Sequence, residues 1–174
     1  MPKSSREQID ADEKKVIKVL EENSKESIDV VAKKCGFSRQ KVWRIIKRLE
    51  KNKTIWGYCA VVDYEKLDRK RYIMLIKRSN KPIGDTVNKI VDLTMHQKGK
   101  DIGVEVIESC YLHGLFDWMF IFTAYDIKHA KKFRELLSRE YAHAISEIFL
   151  LEDIFSVKKS NVINPNVGGL RKLF

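Results

Sequence analysis

CGFSRQKVWRIIKRLEKNK, residues 35–53, combines one apolar stripe with a dense positive charge. Four apolar residues have the i, i+3, i+4 and i+7 spacing of one helix face: Val42, Ile45, Ile46 and Leu49. Ser38 precedes this pattern as an N-cap, and Gly36 suits the left-handed conformation that ends a preceding helix. The stretch therefore predicts the turn and the second helix of a helix-turn-helix.

The residues upstream predict two more helices that pack on this stripe. DADEKKVIKVLEEN, residues 10–23, carries its apolar residues on one side, and we expect Asp10 or Asp12 to cap it. SIDVVAKKC, residues 27–35, repeats the helical spacing and is followed by Gly36. Together the three segments predict a small helical domain.

Most of the positive charge of the chain is concentrated in residues 33–53. They contain nine lysines and arginines against a single acid, Glu50, and so carry +8 of the formal +10 of the 174 residues. Concentrated basic charge is typical of a nucleic-acid surface, whereas a diffuse excess affects mainly solubility. An anionic membrane would need large exposed apolar residues, but here the apolar stripe is required for the core. The charge therefore favours a nucleic acid as a partner, and together with the helix-turn-helix pattern it favours double-stranded DNA.

The exposed side of this basic helix supplies the predicted DNA contacts. In a helix-turn-helix the second helix enters the major groove, where arginine pairs with guanine and glutamine with adenine. The predicted DNA-binding residues are Ser38, Arg39, Gln40, Lys41, Trp43, Arg44, Lys47, Arg48 and Lys51. Of these, Lys41, Arg48 and Lys51 are expected to meet phosphates, which fixes register without reading sequence. Trp43 has two interpretations: it packs on DNA, or it covers a neighbouring helix or a dimer contact.

Other classes of protein are disfavoured by what the sequence lacks. No apolar run approaches the roughly 20 residues that span a bilayer, and the N-terminus has no signal-peptide core, so we expect a cytoplasmic protein without membrane contact. The cysteines, Cys35, Cys59 and Cys110, lie far apart, which predicts no disulfide, metal site or cofactor. Four isolated histidines and the absence of a hydrolase or P-loop motif argue against an enzyme, so no catalytic residue is assigned.

The composition of the chain changes after residue 53. TIWGYCAVVDY, residues 54–64, is rich in β-branched and aromatic residues and predicts a linking strand. The next segments are predicted as the strand 71–78, the helix 83–99, the strands 104–114 and 117–126, the helix 126–141 and the strand 145–159. This β-α-β-β-α-β order is the ferredoxin-like arrangement, in which one sheet face stays free. That face is apolar here, so we expect it to bind another copy of the chain.

The predicted organisation is α+β, with an N-terminal three-helix winged helix-turn-helix followed by a ferredoxin-like βαββαβ domain. The helix-turn-helix and its linking strand occupy residues 1–64, and the dimerisation and effector domain occupies residues 65–158. Residues 159–174, which contain Pro165 and two glycines, are expected to form a loose extension.

With both halves in view, the chain resembles the Lrp/AsnC (leucine-responsive/asparagine regulator) family over residues 8–158. In the first half the resemblance rests on IDADEKKVIKVLEEN, VAKKCGFSRQKVWRIIKRLEKN and IWGYCAVVD; in the second it rests on HGLFDWMF, which is similar to the family's Gly-x-aromatic-Asp turn. The resemblance implies a transcription regulator that forms dimers and then tetramers or octamers, and whose C-terminal domains bind an amino acid or similar small molecule between dimers. The implied effector-binding residues are His113, Gly114, Leu115, Phe116, Asp117 and Trp118.

The sequence departs from the family pattern at two places. KNKTIW, residues 51–56, has no glycine where the family commonly has one after the recognition helix. The side chains of the turn at residues 113–118 are unusually bulky, which predicts a poor fit for a small amino acid. Asp117 has two interpretations: it binds the amino group of a ligand, or it bonds to backbone N–H groups and caps the turn.

Two other functions fit parts of the sequence. An architectural DNA-binding protein would share the basic helix and the dimerisation, but would prefer its site by less than about 10³ over bulk DNA. A decarboxylase-like enzyme with the same two-domain architecture is the other alternative, and His113, beside the turn glycine, is its most testable residue. The sequence favours a sequence-specific regulator over both.

Overall fold

The computed structural model describes residues 6–174, so the first five residues of the predicted first domain lie outside the described residues. The chain divides into two compact units. The first unit combines Met1–Val61 with Val157–Phe174, and the second unit is Val62–Ser156. Among the described residues, no helix is both long enough and apolar enough to cross a membrane.

The first unit contains the three predicted helices. They are α1 (Arg6–Glu22), α2 (Ile28–Cys35) and α3 (Arg39–Lys51). Their buried side chains form one core, made of Val16, Val31, Ala32, Val42, Ile45 and Leu49. The apolar stripe of residues 35–53 therefore packs α3 against the other two helices, as predicted.

The turn between α2 and α3 has the predicted chemistry. Gly36 adopts a left-handed conformation with φ 69°, and its N–H bonds back to the end of α2. The Ser38 hydroxyl accepts a hydrogen bond from the N–H of Lys41 and so caps α3. By contrast, the prediction that Asp10 or Asp12 caps α1 is wrong, because α1 already includes Arg6 and both residues lie inside it.

The predicted linking strand over residues 54–64 does not form within the single chain. The structure describes this segment throughout and assigns it no strand. Trp56 is 94% exposed and Tyr58 is 52% exposed, so the side chains that suggested a strand are not packed on a sheet. A strand requires a neighbouring strand for its backbone N–H and C=O groups, and no strand in the described part of the chain pairs with this segment.

The second unit is a four-stranded antiparallel sheet with helices on one face, and this confirms the ferredoxin-like prediction. The strands are β1 (Lys70–Arg78), β2 (Glu105–Tyr111), β3 (Trp118–Ala124) and β4 (Ile145–Glu152), in the order β2-β3-β1-β4. The helices are α4 (Thr86–Val91), α5 (Thr94–Asp101) and α6 (Ile127–Glu140). A short 3₁₀ helix, Glu65–Leu67, precedes β1.

The helix-covered face of the sheet forms the larger core. Alternate residues of β1 are fully buried on this face: Tyr72, Met74 and Ile76. From α6, Phe133 packs its ring on Phe120 and Phe122, with centroids 5.9 and 5.0 Å apart. Because successive strand residues point to opposite faces, this alternation fixes the register of β1 between β3 and β4.

The predicted helix over residues 83–99 is broken in two. It ends at Val91 and restarts at Thr94, and between them Leu93 has φ 53°, a left-handed conformation that is unusual for a bulky residue. Val87 and Val91, two apolar residues of this predicted helix, are exposed. Thr86 and Met95 are buried instead, since the break rotates α5 relative to α4.

The opposite face of the sheet is apolar and carries no helix of this unit. Antiparallel partners in register share a face, which groups Leu75 with Met119 and Phe149, and Ile73 with Ile121 and Leu151. Phe149 is 41% exposed and Leu151 is 46% exposed.

Residues 158–172 are more regular than the predicted loose extension. Two short strands, β5 (Lys158–Lys159) and β6 (Val162–Ile163), pair as a hairpin, and a 3₁₀ helix spans Val167–Lys172. At the hairpin turn, the Asn161 side chain donates to the carbonyl oxygen of Glu21 at the end of α1. The tail therefore belongs to the first unit, because its polar groups find backbone partners there.

Candidate nucleic-acid interface

The exposed face of α3 is almost entirely basic or polar. Its core residues Val42, Ile45 and Leu49 are at most 4% exposed, so the side chains between them point outward. The outward residues are Arg39, Gln40, Trp43, Arg44, Lys47, Arg48 and Lys51. The structure therefore brings seven of the nine predicted DNA-binding residues onto one accessible helix face, with the capping Ser38 at its start.

Trp43 lies on this face with half of its surface exposed. Its exposed fraction is 51%, which is high for so large an apolar side chain in a three-helix unit. It does not complete the core of its own unit, so the remaining interpretations are contact with DNA and contact with a second copy.

Lys41 is partly exposed and is tied to a buried carboxylate of α1. Its Nζ lies 2.6 Å from Oδ2 of Asp12, whose side chain is 6% exposed, and it sits 3.9 Å above the ring of Phe37. Gln8 donates a second hydrogen bond to the same carboxylate. The hydrogen bond from Lys41 lowers the pKa of Asp12 against the opposing effect of burial. This pair fixes the start of α3 on α1, a role that differs from the phosphate contact predicted for Lys41.

Three other predicted contacts make ion pairs at the surface. Arg39 pairs with Asp29, Lys47 with Glu50, and Arg48 with Glu13. Such exposed pairs contribute about 0–1 kcal/mol each, so phosphate can replace the carboxylate at little cost. The Arg48 pair bridges α3 and α1, and Glu13 is only 18% exposed, so Arg48 also helps to orient the helix.

Replacing Asp12 with asparagine is expected to destabilise the first unit by about 1–3 kcal/mol, because Lys41 loses a charged, largely buried partner. Since folding lowers the pKa of Asp12, its contribution is present above the ordinary value of 3.8 and disappears as pH falls through the lower folded value. Urea unfolding at pH 7 and at acid pH measures both effects. An Asp10→Asn variant is the control, and an equal loss at every pH would contradict this account.

The predicted effector turn is tied to the sheet through Asp117. Its carboxylate accepts a hydrogen bond of 2.8 Å from the N–H of Arg78. Its own N–H donates to the carbonyl oxygen of Ile76, and its carbonyl oxygen accepts from the N–H of Leu112. Of the two interpretations of Asp117, these contacts favour the structural one, although the bonded N–H belongs to β1 and not to the turn itself.

The other residues of the turn point in different directions. Trp118 is 4% exposed and its indole N–H donates to Oγ of Ser109, so it belongs to the helix-covered core. Phe116 instead packs edge-on against Phe149 on the free face, with centroids 5.5 Å apart. Leu115 is 75% exposed, and Gly114 has φ 153°. His113 is exposed. Within a single chain the six predicted effector residues therefore do not converge on one pocket.

Comparison with known proteins supports the assignment of the first unit. Residues 10–55 match the sequence model of a family described as winged helix-turn-helix DNA-binding. The chain is 38% identical over 56 residues to the uncharacterized HTH-type transcriptional regulator YugG of Bacillus subtilis (strain 168). This match covers 32% of the present chain and 34% of the relative, so the chain spans about a third of the length of that relative.

Solved structures are similar over nearly the whole chain. An AsnC family transcriptional regulator from Agrobacterium tumefaciens superimposes with a TM-score of 0.66 and 19% identity, covering 94% of this chain and 98% of that one. The transcriptional regulator NMB0573 from Neisseria meningitidis, in complex with L-Met, gives a TM-score of 0.66 and 16% identity, covering 89% and 96%. The present chain therefore carries a winged helix-turn-helix at residues 10–55 and has the two-domain fold of the AsnC/Lrp family of transcriptional regulators.

Proposed function

We propose that the protein is a sequence-specific DNA-binding transcription regulator that acts as a homodimer or a larger assembly. The observation that carries this proposal is the outward face of α3. Within a segment that matches a DNA-binding family, it presents Arg39, Gln40 and Arg44 next to a tryptophan and further lysines. These are the side chains that read base edges and neutralise phosphates. We propose a regulatory role without catalysis, in keeping with the relatives named above.

The proposed mechanism places two copies of α3 in successive major grooves. Two-fold symmetric helix-turn-helix proteins bind half-sites about one turn, ~34 Å, apart or at multiples of that spacing. Arg44 and Gln40 are assigned to base edges, and Lys47, Lys51 and Arg48 to phosphates. Lys41 is assigned to orienting α3 through Asp12.

The second unit is proposed to join the copies and to respond to a small molecule. The apolar sheet face with Phe149 and Leu151 is a surface that a second copy would cover, and the bulky turn at residues 113–118 lies at its edge. A related regulator is known in complex with L-Met. We therefore propose an amino acid or similar effector that binds where such turns from several copies meet, with His113, Leu115 and Phe116 as its contacts.

The proposal is tested by titrating the full chain onto labelled fragments of its own genome at several salt concentrations with competitor DNA. A regulator is expected to retain a few fragments at least about 10³-fold more tightly than bulk DNA. Uniform binding with a steep salt dependence would instead support the architectural alternative. No binding at any salt concentration would contradict both.

Replacing Arg44 with alanine is expected to relax sequence preference. If Arg44 pairs with a guanine, its loss removes about 1–3 kcal/mol of discrimination at one base pair, while binding to bulk DNA changes little. Competition between the preferred site and its single-base variants measures this. Retained preference at every position would contradict the groove assignment.

Lys51→Ala is the matched variant on the same helix. As a phosphate contact, Lys51 should strengthen binding to all sequences alike. Its loss should therefore weaken every complex and reduce the slope of log K against log salt by about one unit. A change of specificity without a change of slope would reverse the two assignments.

A further inference from the structure

A cavity of about 210 Å³ lies inside the second unit, between the helices and the sheet. Its walls are mostly apolar and include Ile90, Met95, Phe120 and Trp118. An apolar cavity of about 150 Å³ is large enough to hold benzene, so this one accommodates a single substituted ring. It lies on the helix-covered face of the sheet and is distinct from the turn proposed above for the effector.

Tyr141, one of the residues that line this cavity, has a buried hydroxyl group without a hydrogen-bond partner among the described residues. Tyr141 is 1% exposed, and its hydroxyl makes no hydrogen bond to any described residue. Burying an unpaired hydroxyl is costly, and native structures usually satisfy such groups. Burial is the main reason, and the charge of Glu140 a smaller one, why the pKa of Tyr141 is raised to about 12. The hydroxyl therefore remains a hydrogen-bond donor at neutral pH. A second void of about 10 Å³ borders the same ring, with room for one water molecule at most.

A second hydroxyl in the wall also has a hydrogen to donate. Ser109 Oγ already accepts the indole N–H of Trp118 at 2.9 Å, and its own hydrogen remains for another acceptor. Two of the lining residues, Tyr141 and Ser109, therefore carry hydroxyl groups that can donate a hydrogen bond, and most of the other lining residues are apolar or aromatic. These two donors favour a ligand that has one oxygen acceptor and is otherwise apolar.

The charged side chain among the lining residues favours the same chemistry. Lys89 lines the cavity and pairs with the carboxylate of Glu140, which also pairs with Lys98. Among the described residues that line the cavity, none is an aspartate or glutamate, so nothing there would hold an ammonium group. Burial, together with Lys100, lowers the pKa of His96, which leaves its imidazole neutral at pH 7.

The break between α4 and α5 forms one side of the entrance. Leu93, which lines the cavity, is the residue with φ 53° at the point where the predicted single helix is interrupted. A continuous helix over residues 83–99 would carry Met95 on a different side of the segment. The strained residue and the cavity therefore occur together.

We infer that this cavity binds a small aromatic or branched aliphatic carbonyl compound, whose oxygen accepts a hydrogen bond from Tyr141. The site lies within a single chain and requires neither DNA nor a second copy, so it does not depend on the proposed function. An amino acid fits it poorly, because none of the described lining residues is a carboxylate that could bind the ammonium group, and nearby Glu140 already pairs with two lysines.

The test compares acetophenone with ethylbenzene, which has the same ring and chain length but no oxygen. Calorimetric titration of the full chain is expected to show acetophenone binding about tenfold more tightly, the value of one added hydrogen bond. Tyr141→Phe, which keeps the ring, should remove most of that difference and leave ethylbenzene binding unchanged.

Tyr72→Phe is the matched control. Tyr72 is also fully buried with an unpartnered hydroxyl, but it does not line this cavity. This variant should bind acetophenone like the unmodified chain. Equal binding of the two probes, no binding of either, or a tenfold preference that survives Tyr141→Phe would each overturn the inference.

Discussion

Leu49→Ala is expected to destabilise the first unit by about 2–5 kcal/mol. Leu49 is 0% exposed and packs in the core that joins α3 to α1 and α2. Removing its side chain deletes apolar contacts and leaves a cavity, and a small three-helix core has few other residues to close it. Because a single domain is stable by only about 5–15 kcal/mol, the variant should populate an unfolded first unit and bind DNA weakly.

Hydrogen exchange read by mass spectrometry measures this effect segment by segment. Amides of α1, α2 and α3 should lose protection in Leu49→Ala, while those of β1 and β3 should keep it. Val30→Ala, at a position on α2 that is 41% exposed, is the control and should change little. Uniform loss of protection across both units would show that they unfold together and would contradict a local effect.

Phe149→Asp is expected to break the proposed contact between copies. If a second copy covers the free sheet face, an aspartate at this position is buried in an apolar interface without a compensating partner. The expected cost is about 3 kcal/mol or more, which weakens association at least about a hundredfold. Sedimentation velocity should then show a monomer at concentrations where the unmodified chain is associated.

The fold of the single chain should survive this substitution. Phe149 is 41% exposed and lies outside the buried core of the second unit, so its replacement removes no core residue of the single chain. Val91→Asp, on α4 at a position that is 73% exposed, is the control and should leave the assembly intact. An unchanged assembly in Phe149→Asp would place the contact between copies on another surface.

Periodicity predicted the elements that bury one face within a single chain. The α3 stripe follows from side chains that have to reach a core, so its spacing carried the information. β1 was instead predicted from its run of apolar residues, and its alternating burial is seen only in the structure. The segment 54–64 failed for the converse reason: its composition suits a strand, but composition does not supply a pairing partner. The helix break at Leu93 was hidden because the sequence has neither glycine nor proline there.

The site was less predictable than the fold. The basic face of α3 followed from its charge, but charge alone could not distinguish Lys41 from its neighbours. The sequence did contain a signal that Lys41 differs from its neighbours. Asp12 lies four residues before Val16, so both occupy the same face of α1. A carboxylate on that buried face requires a partner. At the turn, Trp118 was grouped with the effector residues by sequence neighbourhood, although strand alternation sends it into the core.

The order of synthesis determines when the C-terminal tail can pack on the first unit. The three helices of the first unit emerge from the ribosome first, but β5, β6 and the last 3₁₀ helix emerge only after the whole second unit has been made. The hydrogen bond from Asn161 to Glu21 can therefore form only after the second unit has been synthesised. A nascent chain can build its basic helix early, yet it receives its final support only when translation of the remaining domain is complete.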